Sequence, residues 1–160
     1  MDRVELAVVD VPIASLEPET TPAVSVHVNG RPLEAIWADA CGDEATPIWV
    51  GDTLLGSKFV DGAHVGGELI WRVGVDLRNA GWFDAVDGGR VGVLTCACGG
   101  FACGGAAARV EATRDTVTWS EFHRMNGRGP VPVGPFTFDR REYEREIDAL
   151  ERAVRAVRDV

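Results

Sequence analysis

Between Arg90 and Arg109 the chain runs for eighteen residues, Val91 to Ala108, without a charged side chain, and this stretch limits the fold more than any other. Its length suits a membrane span. Its glycines do not. Gly99-Gly100 and Gly104-Gly105 place turn-prone backbone where a spanning helix needs an unbroken hydrogen-bond ladder. A hairpin accommodates both features. Val91 to Cys98 is β-branched and apolar, with the length of a strand buried on both faces. Ala106 to Ala112 then returns as its partner, and the glycine-rich residues form the turn.

This hairpin carries three of the four cysteines. Alternation along a strand sets Cys96 and Cys98 on one face with Leu94, and Cys103 follows five residues beyond Cys98. Three chemistries suit these residues. Two thiolates from a strand and a third from a glycine-rich turn supply three corners of a Zn²⁺ tetrahedron. The fourth ligand would then be Cys41, one of His27, His64 or His123, or water. The spacing C-x-C-x4-C lacks the doubled C-x2-C of a zinc ribbon. Buried thiols also serve as small apolar side chains. The third chemistry is redox pairing of Cys98 with Cys103. Zinc is the one cofactor the sequence suggests.

The length of 160 residues fits one domain with a core of its own, β-rich over 1–138 and helical over 139–158. The start, Met1-Asp2-Arg3-Val4-Glu5, has neither a basic n-region nor an apolar h-region, and no Asn-x-Ser/Thr sequon follows. A reducing cytoplasm is the expected location, where standing disulfides are uncommon. Charge is unevenly spread. Residues 1–70 hold 12 acidic and 3 basic side chains, net −9, whereas residues 71–160 hold 13 of each. Nucleic acid and anionic membranes require a basic footprint, so neither is an expected partner. A basic protein is, because such a surface attracts and steers it. Acidic residues that only maintain solubility are the plainer explanation of the same asymmetry.

The remaining chain supplies strands and one helix. Val4 to Val9 is a first strand ended by Pro12, and 14–22 is a loop rich in Ser, Thr, Glu and Pro. From Ala23, the valines at 24, 26 and 28 alternate with Ser25, His27 and Asn29 in a half-buried strand. Asn29-Gly30 is a hairpin turn, after which Leu33 to Trp37 is expected to return antiparallel. Gly67 to Leu77 alternates again, with Leu69, Trp71, Val73, Val75 and Leu77 on one face. Trp82 and Phe83 stand side by side in the loop 79–89, as a binding tip or a lid over the core edge. Thr113 to Thr116 turns into a strand at Val117 to Phe122, with Val117 and Trp119 inward. The Gly67–Leu77 segment, both arms of the cysteine hairpin and the Val117–Phe122 segment would make an antiparallel meander of four strands.

His123 to Pro135 reads as a loop. Asp139 with Glu142 three residues on signals a helix N-terminus. Tyr143, Ile147, Leu150, Val154 and Val157 follow as one apolar stripe, suited to packing on a sheet or, alternatively, to a dimer seam. Asp148 with Arg152 and Glu151 with Arg155 have ion-pair spacing. The acids around Cys41 (Asp39, Asp43, Glu44 and Asp52) lack calcium-loop spacing and disfavour a stabilised thiolate.

No nucleotide-binding glycine loop, H-E-x-x-H or G-x-S-x-G occurs, so no motif marks an enzyme. A serine or cysteine triad with His27, His64 or His123 stays open, and Cys96 or Cys98 with His123 is the first nucleophile–base pairing to inspect. The expectation is an α+β fold, an antiparallel sheet of six or seven strands with a long C-terminal helix packed on it. The expected function is binding of a basic protein, as an inhibitor or neutralising partner. The alternative is a zinc module on Cys96, Cys98 and Cys103 with Cys41 as a further ligand.

Overall fold

A computed structural model describes residues 1–13, 18–50, 53–55, 58–60, 63–65, 68–74, 85–86, 89–96, 105–125 and 129–158. The strands are β1 (Val4–Pro12), β2 (Thr20–Val28), β3 (Arg31–Pro32), β4 (Ala45–Trp49), β5 (Leu54–Leu55), β6 (Lys58–Val60) and β7 (Ala63–Val65). They continue as β8 (Glu68–Leu69), β9 (Ala85–Val86), β10 (Arg90–Cys96), β11 (Ala106–Ala112), β12 (Thr116–Arg124) and β13 (Phe136–Asp139). The helices are α1 (Leu33–Cys41) and α2 (Arg140–Arg158). The fold is α+β. Seven strands of an antiparallel sheet run in the order β1-β2-β4-β10-β11-β12-β13, with β3 beside β2 and β9 beside β10. Short pairs β5–β8 and β6–β7 stand apart from it.

The cysteine hairpin forms as its composition demands. Val91 through Thr95 are all buried in β10, which pairs with β4 on one side and β11 on the other. Between Gly92 and Leu94 the register with β11 slips by one residue. At that slip the strands approach so closely that a Cβ on Gly105 would lie 2.7 Å from the Leu94 carbonyl oxygen, so only glycine fits. A second slip sets Glu121 and Phe122 of β12 against Ala108 alone. Glu121 adopts φ +51° there, which turns its carboxylate outward to Arg90 and Arg109 while Phe122 stays buried.

Three sequence expectations need correction. Leu33 to Trp37 is helical rather than extended. Pro32 holds φ −57°, ψ 135° at the N-cap, after which Leu-Glu-Ala-Ile-Trp-Ala-Asp-Ala-Cys contains strong helix formers and no breaker. Leu33 and Trp37, spaced i,i+4, are both buried, and Gly42 ends the helix at φ +77° with its N–H on the Ala38 carbonyl. The Asn29-Gly30 turn itself is present, with φ 52° and 82°. Its return strand is only the two residues of β3.

The second correction concerns Gly67 to Leu77. Among its described residues, 68–74, only Glu68–Leu69 is strand, and buried Leu69 is followed at once by a turn in which Ile70 and Trp71 are also buried. Val75 and Leu77 lie outside the described residues, as do Trp82 and Phe83. The third is the meander, whose fourth strand is Phe136–Asp139 and not the Gly67–Leu77 segment. The meander is therefore β10-β11-β12-β13.

Helix α2 packs on β1, β12, β13 and β8. Its N-terminus is capped as its sequence indicates, Glu142 N–H donating to Asp139 Oδ2 at 3.0 Å. Tyr143, Ile147, Leu150 and Val154 are fully covered, each worth about 1.5–3 kcal/mol of burial. Glu151 pairs with Arg155, whereas Asp148 turns from Arg152 to Arg72. The helix also protects the sheet. Leu6 directs its N–H away from β2, and Glu146 accepts it at 3.1 Å. At its start β1 meets β13: Asp2 N–H donates to Thr137 O, and Thr137 N–H donates to Asp2 Oδ2 at 2.8 Å. The first and last strands of the path are thus joined, and the sheet curls round the core.

An aromatic cluster fills that core. The Trp71 and Trp119 ring centroids lie 5.5 Å apart, Phe138 and Tyr143 stack at 5.9 Å, and Phe138 meets Trp119 edge-on. Trp119 Nε1–H donates to the Tyr143 hydroxyl at 3.1 Å, and that hydroxyl donates to the Trp71 carbonyl. Trp71 Nε1–H donates in turn to the Gly92 carbonyl at 2.8 Å. Burial raises the Tyr143 pKa, so the phenol remains a protonated donor.

Tyr143→Phe leaves an indole N–H and a carbonyl unpartnered in the core and is expected to lower unfolding free energy by about 1–3 kcal/mol. Urea unfolding followed by tryptophan emission measures this, and an unchanged midpoint refutes it. Hydrogen bonds from Asn29 and from the Thr137 backbone hold the Asp2 carboxyl below its ordinary value. Its contribution is therefore present above the unfolded value of about 3.9 and is lost as pH falls below it. Asp2→Asn is expected to flatten the acid limb of a stability–pH profile below about pH 4.5. An unaltered acid limb contradicts that role.

Candidate functional site

Two surface regions carry chemistry beyond structure. The first is the end of the sheet where β4 begins and β10 finishes. Cys96 is the last residue of β10 and pairs with Ala45, the first of β4. Cys41 closes α1 four residues before Ala45. Leu94 pairs with Ala106, and Ala106 with Arg124, so the ends of β11 and β12 reach the same edge. Met125 N–H donates to the Gly105 carbonyl there at 3.0 Å.

Arg124 ties this edge together. Its Nε–H donates to Asp43 Oδ2 at 2.8 Å. The guanidinium pKa is raised, first by Asp43 and, after a smaller opposing effect of desolvation, by the Cys41 sulfur. The Cys41 thiol donates to the Trp37 carbonyl at 3.2 Å. Cys41 and Cys96 are free, half-buried thiols. Of the four cysteines proposed as ligands, Cys41 and Cys96 thus share one end of the sheet, while Cys98 and Cys103 lie outside the described residues. Among the described residues no three His, Cys, Asp or Glu side chains converge as a metal site.

The pairing of Cys96 with His123 does not form. His123 pairs with Ala107, which is level with Gly92 rather than with Cys96, and β11 separates the two strands. Among the described side chains the histidine that meets a hydroxyl is His27, whose Nδ1 lies 3.0 Å from Ser25 Oγ. These residues are two apart on β2, a spacing that shares a face. Ser25 is buried, and Glu5, the cross-strand neighbour of His27, makes no ion pair with it among the described residues. A dyad with no orienting carboxylate falls short of a catalytic triad.

The second region is the solvent face of β1 together with Glu19, just before β2. Most described carboxylates elsewhere are engaged. Asp39 pairs with Arg31, Asp43 with Arg124, Asp148 and Glu151 with Arg72, Glu144 with Arg140, and Glu111 and Glu121 with Arg109. Glu5, Asp10 and Glu19 are exposed and have no side-chain partner among the described residues. Three of the unpartnered acids in the first seventy residues therefore lie in or beside the β1–β2 pair, while Glu34 and Glu44 lie in α1 and just after it. Sequence reading found the asymmetry but not this placement, because pairing with distant arginines decides which acids remain uncompensated.

Among the described residues no helix is long and apolar enough to cross a membrane. Comparison of the chain with protein-family models, curated proteins and solved structures finds no match.

Proposed function

We propose that this chain is a binding protein for a basic protein partner, acting as an inhibitor or neutralising subunit rather than as an enzyme. The supporting observation is that Glu5, Asp10 and Glu19 are exposed and have no side-chain partner among the described residues, whereas seven described carboxylates elsewhere pair with arginines. Uncompensated charge on one side of a domain steers an oppositely charged partner to that side and rejects nucleic acid. Such an assembly operates in a reducing, cytoplasm-like compartment, where Cys41 and Cys96 persist as thiols.

Capture of cationic proteins on the immobilised chain, read at rising ionic strength, tests this. Yield is expected to fall severalfold between about 50 mM and 500 mM salt, as screening shortens the reach of surface charge. A yield independent of salt opposes the electrostatic basis of binding.

Zinc binding is the second reading, supported by the position of Cys41 and Cys96 at one end of the sheet beside Arg124. A guanidinium against thiolate sulfur offsets the negative charge of a multi-cysteine site. Cys98 and Cys103 would complete four ligands as a fold staple. Protein purified without a histidine tag is then expected to hold about one equivalent of zinc and to lose stability in chelator. Cys41→Ser and Cys96→Ser should each lower the metal content. Less than about 0.1 equivalent, with no effect of chelator, removes this reading.

A further inference from the structure

We draw no further inference here: the strongest candidate, the side-chain cluster of Cys41, Cys96, Arg124 and Asp43 at the end of the sheet where β4 begins and β10 finishes, belongs to the site already described.

Discussion

The Tyr143 hydroxyl is the point where the separate parts of this fold are joined. It accepts from Trp119 in β12 and donates to the carbonyl of Trp71 in the turn after β8, while the Trp71 indole reaches β10. Helix, meander and turn are thus connected through one buried chain of hydrogen bonds. Hydrophobic burial alone would hold α2 against the sheet with little preference for its rotation or axial position. The chain fixes both, because an unmet indole or carbonyl in that interior costs more than a small gain in packing can offset. The same requirement explains why the chain turns at Ile70 and Trp71. An extended strand would offer the Trp71 carbonyl to a neighbouring strand, whereas the turn leaves it for the tyrosine.

With α2 fixed in this way, the sheet has little exposed edge. Glu146 lies where Leu6 N–H needs an acceptor, and Asp2 joins the start of β1 to β13. An edge strand is ordinarily prone to pair with another chain. Here helix and seam restrict that edge, and what β1 offers to solvent is its face.

What was legible in the sequence follows from the range of each cause. Cysteine-hairpin strands, the α2 stripe and its Asp139 cap are set by neighbours a few residues apart, and all appear where the pattern puts them. Leu33 to Trp37 misled because Leu33, Ala35 and Trp37 satisfy a strand period while Leu33 and Trp37 also satisfy a helical one. The alanines and the Gly42 C-cap are the local signal that favours the helix. Gly67 to Leu77 misled for a different reason. Its alternation is real, but the requirement on Trp71 comes from Tyr143, seventy-two residues away. Asp43 was legible beside Cys41, but Arg124 was missed as a member of the cysteine edge on the same ground, since only the register of four strands brings it to Asp43.

The two candidate regions lie toward opposite ends of β4. Ala45, its first residue, pairs with Cys96, and Trp49, its last, pairs with Ala23 on the way to Thr20 and the β1–β2 turn. A metal or redox event at the cysteine edge would thus act a strand's length from the acidic face. Coupling between them would have to pass through β4 and its neighbours β2 and β10, which are tightly packed: Val24, Ile48, Val93 and Leu94 have almost no exposure. A core of that density transmits a shift only as a rearrangement of whole strands. Binding at the acidic face and thiol chemistry at the cysteine edge are therefore expected to be energetically independent. The strand that separates them also lets each be perturbed without moving the other.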